Sequence, residues 1–417
     1  MCPNAALSAA LFVLSLAVLA GCTPADEPES DASTDSSPAS MSIEARADSL
    51  AQAHLLVDGH IDVPYRLQTY QENIADSTVG GDFDAPRARS GGLDAPFMSI
   101  YLPVRLQDDP GASKALADDL IDMVEGFEDD HPETFEVATS PDDVRRIAEA
   151  DKIALPMGME NGSGIEDDLD NLQHFYDRGI RYITLTHAEH NRIGDSSYDD
   201  TENRWGGLSP FGEDVVDEMN RLGIIVDISH VTDATANAVL DRTEAPVLAT
   251  HSSCRHFTPG WERNMSDALI RRLAENGGVI MINFGSSFLR SEYQDQDDPI
   301  REKMQAHIEE QGWASNSREA VVYEETMRTN TPIGTVQDVA DHIDHVVDLV
   351  GVAHVGLGSD YDGVFALPEG LQNVATYPNL VAELLRRGYT DDEIAQILGE
   401  NAMRVWREVD ATAQRLQ

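Results

Sequence analysis

His60 and Asp62 are the first residues in the chain whose types and spacing could do chemistry. They follow the apolar run Leu55–Val57 and the pair Asp58-Gly59. On an extended backbone, residues i and i+2 point to the same side, so both side chains could bind one metal ion. An imidazole and a carboxylate suit a borderline divalent metal, with zinc first. Alone, this triplet could equally be a surface turn, so the metal hypothesis depends on the rest of the chain.

Further apolar runs also end in a histidine or a carboxylate. The residues at these ends are Glu160, His187, His230, His251 and Asp360. One such residue is usually a buried, hydrogen-bonded side chain, but a series of them is hard to assign to structure alone. The pattern therefore predicts a metal site.

The number of candidate ligands favours two metal ions per chain. His60, Asp62, Glu160, His230 and His251 exceed what one tetrahedral ion needs when water must also bind. Glu160 could bridge a His60/Asp62 site and a His230/His251 site, with ions roughly 3.5–4 Å apart that share a hydroxide of lowered pKa. Asp360 would then carry a proton from that water to the leaving group. This chemistry is metal-assisted hydrolysis.

The elements that must position these residues are near-continuous apolar strands, which are typical of parallel strands covered on both faces. The predicted strands are Leu55–Asp58, Phe97–Leu102, Ile153–Met159, Ile180–Thr186, Ile224–Ser229, Pro246–Thr250, Gly278–Phe284 and His354–Gly358. Amphipathic helices alternate with them, such as the stripe from Val336 to Val350 and the helix that Ser140-Pro141 begins.

Eight strands with intervening helices predict an α/β fold, a (β/α)8 TIM-type barrel of the metal-dependent amidohydrolase-like kind. In such a barrel the strand ends converge at one mouth, where active sites lie. A doubly wound open sheet is the competing fold, but no G-x-G-x-x-G follows the first strand. The barrel should span residues 43–417. Residues 285–335 are polar and acidic, which suggests an insertion over one end of the barrel. It could be a lid, and a solvated loop is the default alternative.

The N-terminus resembles a bacterial lipoprotein signal. An apolar run, Ala5–Ala20, is short for a membrane span and leads into Leu19-Ala20-Gly21-Cys22. Residues 1–21 would be the signal, and Cys22 would be lipidated, although Met1-Cys-Pro-Asn4 contains no basic residue. An uncleaved anchor or an ordinary secretory signal is the alternative. The Pro-, Ser- and Asp-rich residues 22–42 predict a disordered acidic tether, so the protein would be exported and lipid-anchored at the cell envelope, on the periplasmic or outer-membrane face.

The charge of the chain excludes nucleic acid as a partner. The 417 residues carry a formal net charge of -46, with 75 acidic and 29 basic residues, so phosphate would be repelled over most of the surface. Only three of the basic residues are lysines (Lys114, Lys152 and Lys303). This composition favours adaptation to high salt, which screens self-repulsion; a merely acidic exported protein is the alternative. Cys254 would be the one cysteine outside the signal and lipid site, so no intrachain disulfide is expected.

Taken in order and spacing, the motifs resemble the membrane dipeptidase (renal dipeptidase, peptidase M19) family from about Leu55 to Trp406. The motifs are Asp58-Gly-His-Ile-Asp62, Gly158-Met-Glu-Asn-Gly162, Leu185-Thr-His187, Asp227-Ile-Ser-His230, His251-Ser-Ser253, Arg263-Asn264 and Gly358-Ser-Asp360-Tyr-Asp-Gly363. The sequence departs from the renal enzyme by about one extra residue between His251 and Arg263, and by Asn161 in place of a glycine.

The resemblance implies roles for the same positions. One zinc ion would bind His60, Asp62 and Glu160, and a second would bind Glu160, His230 and His251. His187 would support the substrate carbonyl or tetrahedral intermediate, Arg263 would hold the dipeptide's C-terminal carboxylate, and Asp360 would act as acid and base. The implied substrate is a dipeptide, and a homodimer is compatible with the resemblance.

Two alternatives stay open from the sequence. The protein could be another binuclear metal amidohydrolase that acts on acyl-amino acids, cyclic amides or lactones. It could also be a non-catalytic surface-binding lipoprotein with a vestigial site, although the complete ligand set argues against that.

Overall fold

The computed structural model describes residues 41–417, and these residues form ten strands and the helices around them. The strands are β1 (Val57–Ile61), β2 (Ala95–Tyr101), β3 (Phe135–Val137), β4 (Ile153–Leu155), β5 (Met157–Glu160), β6 (Ile180–Thr184), β7 (Ile225–Asp227), β8 (Leu248–Ser252), β9 (Val279–Ile282) and β10 (Val355–Leu357). The predictions for residues 1–21 and for most of the 22–42 tether lie outside the described residues.

The helices occupy the connections between the strands and the C-terminus. They are α1 (Ile43–Ala53), α2 (Val63–Thr69), α3 (Ala85–Gly91), α4 (Ala112–Asp130), α5 (Pro141–Glu149), α6 (Asp170–Asp177), α7 (Pro210–Leu222), α8 (Asp233–Arg242), α9 (Asp267–Glu275), α10 (Ser286–Leu289), α11 (Asp298–Gln311), α12 (Arg318–Asn330), α13 (Val336–Val350), α14 (Tyr377–Arg387), α15 (Asp391–Ala395) and α16 (Asn401–Leu416). In the described part of the chain, none of these helices combines the length and the apolar character that a membrane span requires.

Eight of the strands close into a parallel barrel in the order β1-β10-β9-β8-β7-β6-β5-β2. The chain therefore adopts the predicted (β/α)8 barrel, and the open doubly wound sheet is excluded. Every barrel strand overlaps one of the apolar runs identified in the sequence. The strand residues are almost entirely buried, as expected when helices cover the outer face and side chains fill the interior.

One predicted strand is wrong in its extent. The run Ile153–Met159 is two strands: β4 pairs with β3 in a separate two-stranded sheet, and β5 enters the barrel. The break falls at Pro156, which has no N–H to donate to a ladder. Its carbonyl still accepts a 2.8 Å hydrogen bond from Met98 N, so the chain passes from one sheet to the other without a loop.

Three aromatic rings pack in series from helix α16 into the barrel. Trp406 of α16 packs against Phe97 of β2, with ring centroids 5.4 Å apart. Phe97 in turn packs against Tyr182 of β6 at 5.3 Å. All three side chains are buried. We call this set, Trp406–Phe97–Tyr182, the aromatic column; its Tyr182 end lies beneath the mouth of the barrel, where His60 contacts it.

The segment between β9 and α13 lies over the same mouth. It contains the helices α10, α11 and α12. Arg328 of α12 fixes it to the barrel loops: Nη2 donates to Oδ2 of Asp82 at 2.8 Å, and Nε donates to the carbonyl of Phe365 at 3.0 Å. The insertion thus contacts the loop that follows β10.

Candidate metal centre

A cavity of about 670 Å³ opens at the C-terminal mouth of the barrel. The candidate residues on its wall are Asp62, Glu160, His187, His230 and Asp360. The insertion supplies Tyr293, Asp297 and Arg301 to the opposite side. His60 and His251 lie directly beneath the wall and are fully buried. The strand ends therefore bring together residues that are up to 300 positions apart in the chain.

Each candidate ligand stands at or just beyond the end of a barrel strand. His60 lies within β1, Glu160 ends β5, and His251 lies within β8. His230 and Asp360 follow β7 and β10 with φ angles of 67° and 62°. This left-handed conformation is unfavourable for residues with a side chain, and it persists where the surroundings fix it, commonly at functional sites.

The two oxygens of Glu160 face two different groups of nitrogen atoms. Oε2 lies 3.6 Å from Nε2 of His60. Oε1 lies 3.0 Å from Nε2 of His230 and 3.2 Å from Nε2 of His251. On the His60 side, Nε2 is also 3.4 Å from Oδ2 of Asp62. The carboxylate of Glu160 is therefore placed between two sets of potential ligands.

The imidazoles of His230 and His251 are arranged as bases. The Nε2 atoms of His230 and His251 lie 2.8 Å apart, although two neutral rings can share at most one proton there. Burial lowers the pKa of both rings well below the usual value, and the nearby Arg263 guanidinium lowers it further. Both nitrogens are thus available as lone-pair donors aimed at the same place.

The carboxylates at the centre require positive charge. Asp62, Glu160 and Asp360 are all buried around His60. Burial by itself would lower the pKa of His60, but the charges of Asp62 and Glu160 raise it to about 10. Burial raises the pKa of Glu160 well above its usual value. Since isolated buried charge is costly, such a cluster is stabilised when cations are bound among the carboxylates.

Buried polar atoms without hydrogen-bond partners also indicate a metal ion at this centre. Nε2 of His60 and Oδ1 of Asp62 are buried and have no hydrogen-bond partner within residues 41–417. Buried polar atoms normally have partners, so two such atoms in one ligand set indicate that they serve another purpose. His60, Glu160 and His251 form one group with ligand atoms within 4.8 Å of one another, and His60, Asp62 and Asp360 form another.

Asp360 is held by Asn283, which follows β9. Nδ2 of Asn283 donates a 2.7 Å hydrogen bond to Oδ2 of Asp360. Burial raises the pKa of Asp360 to about 7; His60 opposes the shift and Asp62 adds to it. A carboxyl group with that pKa can both accept and release a proton near neutral pH.

His187 lies in the cavity and Arg263 lies behind its wall. Nε2 of His187 is 3.8 Å from Oε1 of Glu160, and burial lowers the pKa of its ring to about 4. Arg263 is buried; Nη2 donates to the His251 carbonyl at 2.9 Å and lies 3.1 Å from Nε2 of His230. Nε of Arg263 is one of the buried atoms without a partner among the described residues.

The sequence did not reveal the side chains that support the ligands. The hydroxyl of Tyr182 is 2.8 Å from Nδ1 of His60, which leaves Nε2 facing the centre. The Thr250 hydroxyl is 2.9 Å from Nδ1 of His251 and donates to Asp227 at 2.7 Å. Such contacts fix ring orientation and tautomer in metal sites. Asp227 was visible in a motif, but nothing in the sequence indicated that Tyr182 reaches His60.

Two glycines of the motifs are explained by close approach. A Cβ at Gly158 would overlap the ring of Tyr182, and a Cβ at Gly363 would overlap the carboxylates of Asp62 and Asp360. Asp362 stabilises the turn before Gly363, because its Oδ2 accepts a 2.9 Å hydrogen bond from Nε of Arg66. The spacing of Gly363 from Asp360 therefore has a steric cause.

Known proteins provide an independent comparison. The model of the membrane dipeptidase family (peptidase family M19) matches residues 44–417. A dipeptidase of Aspergillus oryzae, AclJ, is 35% identical over an alignment of 374 residues that covers 87% of this chain and 79% of that protein.

Solved structures of similar proteins have the same fold. The crystal structure of the probable dipeptidase PvdM from Pseudomonas aeruginosa is 27% identical with a TM-score of 0.75, covering 89% of this chain and 99% of that chain. A metallo peptidase from Rhodobacter sphaeroides, liganded with a phosphinate mimic of the dipeptide L-Ala-D-Ala, is 25% identical with a TM-score of 0.68, covering 85% and 99%. The family model matches the whole barrel, and a dipeptidase is 35% identical to this chain. The chain belongs to the membrane dipeptidase family, peptidase family M19, and is a peptide-bond hydrolase of the dipeptidase type.

Proposed function

We propose that this protein hydrolyses dipeptides with two zinc ions per chain. His60, Asp62 and Glu160 would hold one ion, and Glu160, His230 and His251 the other. One observation carries the proposal: the two carboxylate oxygens of Glu160 face different ligand groups. Its Oε2 faces His60, and its Oε1 faces His230 and His251. Mixed imidazole and carboxylate ligands, with no thiolate, suit zinc in a hydrolase.

Bound zinc would supply Lewis acidity and a shared water of lowered pKa, so that a hydroxide is available near neutral pH. Asp360 would accept the proton of the attacking water and transfer it to the nitrogen of the leaving amine. Its raised pKa and its position on the cavity wall support that role. His187, kept neutral by burial, would donate a hydrogen bond to the oxygen of the scissile carbonyl as negative charge develops there.

The substrate class in this proposal is a dipeptide with a free C-terminal carboxylate. Arg263 would hold that carboxylate, because a planar guanidinium binds a carboxylate through two parallel hydrogen bonds. Arg263 lies behind the cavity wall, and its Nε, which has no partner among the described residues, is the atom that supports this role. The related enzyme bound to a mimic of L-Ala-D-Ala makes a D-residue at the second position a reasonable candidate. Peptidoglycan-derived and nutritional dipeptides both meet this description.

The test combines metal content with turnover of glycyl-dehydrophenylalanine or Ala-Ala. We expect two zinc ions per chain, loss of turnover after chelation, and recovery when zinc is returned. Turnover that is indifferent to chelation would contradict the metal mechanism. Full zinc loading without turnover of any dipeptide would instead favour the surface-binding alternative or a different amidohydrolase substrate.

A substitution at Arg263 distinguishes the dipeptidase function from that of another amidohydrolase. Reversing the charge in Arg263→Glu should reduce kcat/KM for a dipeptide far more than for an ester that lacks the carboxylate. Arg271→Glu is the matched control, since Arg271 is an exposed residue of α9. Equal losses on both substrates in Arg263→Glu would mean that Arg263 does not recognise the carboxylate.

The proposed location is the bacterial cell envelope, with the chain anchored through a lipidated Cys22. The support is the pattern Leu19-Ala20-Gly21-Cys22 and the polar stretch that follows it. Cys22→Ala should move the protein from the membrane fraction to the soluble fraction; an unchanged distribution would contradict lipidation. Self-association as a homodimer stays a prediction.

A further inference from the structure

A second group of potential metal ligands lies on the helical layer outside the barrel. His256, Asp267 and His345 each offer one ligand atom, and these atoms lie within 4.8 Å of one another. His256 belongs to a 3-10 turn at Arg255–Phe257, Asp267 is the first residue of α9, and His345 is in α13. We call this group the outer cluster. None of its members lines the central cavity.

The side chains of the outer cluster are already oriented toward one another. Nε2 of His345 is 2.8 Å from Oδ1 of Asp267. The rings of His256 and His345 are stacked, with centroids 4.4 Å apart and planes inclined by 25°. An imidazole can offer one ring nitrogen as a lone-pair donor, so each of the two rings can supply one ligand atom beside the carboxylate of Asp267. Partial exposure of all three residues leaves the group accessible to an ion from solvent.

His342, one turn earlier in α13, shows what a structural histidine looks like in this region. Its Nδ1 accepts a 2.9 Å hydrogen bond from Cys254 N, and its Nε2 donates to the Leu289 carbonyl at 2.9 Å. Both of its nitrogens are engaged with backbone groups, and the ring is buried. His345 differs because its partner is a carboxylate and a second imidazole stacks on it.

We propose that the outer cluster binds one transition-metal cation, with zinc the best suited of the common ions. Two imidazoles and one carboxylate form a donor set that zinc accepts in tetrahedral sites, with water in the fourth position. Tetrahedral ligands at 2.0–2.2 Å from an ion lie roughly 3.4 Å from one another. The 2.8 Å contact between His345 and Asp267 would therefore open slightly, while the other ligand atoms, now within 4.8 Å, would adjust to that separation.

A cation at the outer cluster would tie the 3-10 turn to α9 and α13. That turn lies between His251 and Arg263 in the chain. Arg255 connects it to the same segment, since its backbone N donates to the Met265 carbonyl at 2.9 Å and its Nε donates to the Asn264 carbonyl at 2.7 Å. The ion would therefore restrain the loop that carries Arg263 without touching the substrate.

The test measures zinc binding to the whole protein by equilibrium dialysis, with His256→Ala, His345→Ala and Asp267→Asn as variants. We expect the wild-type protein to bind one more zinc ion per chain than each variant, whatever the number of ions held in the central cavity. Added zinc should raise the Tm of the wild-type protein further than that of the variants. The control is His131→Ala, a histidine distant in sequence from all three ligands, which should bind as the wild type does.

The kinetic readout separates the outer cluster from the central cavity. Since none of its residues lines the cavity, kcat at saturating dipeptide should be unchanged in His256→Ala and His345→Ala. Equal zinc stoichiometry and equal affinity in the wild-type protein and in all three variants would overturn the proposal. A tenfold or greater loss of affinity for a single ion in each variant would support it.

Discussion

Asn283 donates a 2.7 Å hydrogen bond from Nδ2 to Oδ2 of Asp360, and this contact joins the residues that follow two adjacent barrel strands. Because Asn283 engages one carboxylate oxygen, the other oxygen of Asp360 is available to the cavity. The relationship gives Asp360 a fixed orientation in a position whose backbone is left-handed. A proton-transfer group needs such an orientation.

The first prediction concerns Asp360→Asn. This change removes the group that exchanges a proton but keeps the shape and the contact with Asn283, so kcat should fall about 10²–10⁴-fold. Metal content, measured by elemental analysis, should stay at the wild-type value. Because Asp360 also lies within ligand distance of His60 and Asp62, a combined loss of metal and activity would identify it as a ligand instead.

The second prediction concerns Tyr182→Phe. Phenylalanine fills the same space in the aromatic column but removes the hydroxyl that lies 2.8 Å from Nδ1 of His60. Loss of such a supporting contact typically weakens metal binding about 10–100-fold. Titration with a competing chelator measures this change. The control is Tyr361→Phe, which removes an equally buried hydroxyl that donates to the Leu371 carbonyl at 3.0 Å; similar metal affinities in the two variants would refute the role of Tyr182.

The third prediction concerns pH and Asp94. Burial raises the pKa of Asp94 to about 6, although its carboxylate accepts a hydrogen bond from Leu56 N. The folded state therefore binds this proton more tightly than the unfolded state, whose carboxyl has a pKa near 3.9. The free energy of unfolding should fall as the pH rises from about 4 to about 6, by on the order of 2 kcal/mol from this group. Denaturant titrations across that range should show a smaller fall in Asp94→Asn, and parallel curves would contradict the assignment.

The fourth prediction concerns Arg328→Met in the insertion. Arg328 is nearly buried and pairs with the fully buried Asp82, so its removal leaves a carboxylate without its charge partner. Breaking one partner of a buried pair costs about 3–5 kcal/mol of stability. Denaturant unfolding and limited proteolysis of residues 290–335 should both reveal the loss. Arg301→Met is the control, since the Arg301 side chain is 45% exposed and its pair with Asp297 should contribute little.

The fifth prediction concerns salt. A chain with a net charge of -46 repels itself, and the Debye length shrinks from about 10 Å at 0.1 M salt to about 3 Å at 1 M. Raising KCl across this range should therefore raise Tm, as scanning calorimetry can measure. A constant or falling Tm would favour the alternative of an ordinary acidic exported protein over one adapted to high salt.

The sequence predicted the barrel and the positions of the candidate ligands because both follow from local patterns. Apolar runs located all eight barrel strands, and parallel strands must bring their carboxyl ends to one mouth. The candidate residues therefore converge at that mouth, as expected: His60, Glu160, His230, His251 and Asp360. Their roles as ligands and acid–base group stay predictions until metal is measured.

The features that the sequence did not predict depend on contacts between distant segments. Tyr182 and His60 are 122 positions apart, and nothing local to either residue indicates their hydrogen bond. The strand β3 has only three residues, too few for a recognisable pattern. The split of Ile153–Met159 at Pro156 could have been found, since proline is unfavourable inside a strand.

The aromatic column has a consequence for engineering this enzyme. Trp406 of α16, Phe97 and Tyr182 are buried, so substitutions at exposed positions of the helices do not replace any ring of the column. A different residue at Phe97 or Trp406, however, would tilt the phenol of Tyr182 and with it the imidazole that the phenol holds. Attempts to raise the thermal stability of the protein should therefore keep Phe97, Tyr182 and Trp406 and change exposed positions of the outer helices.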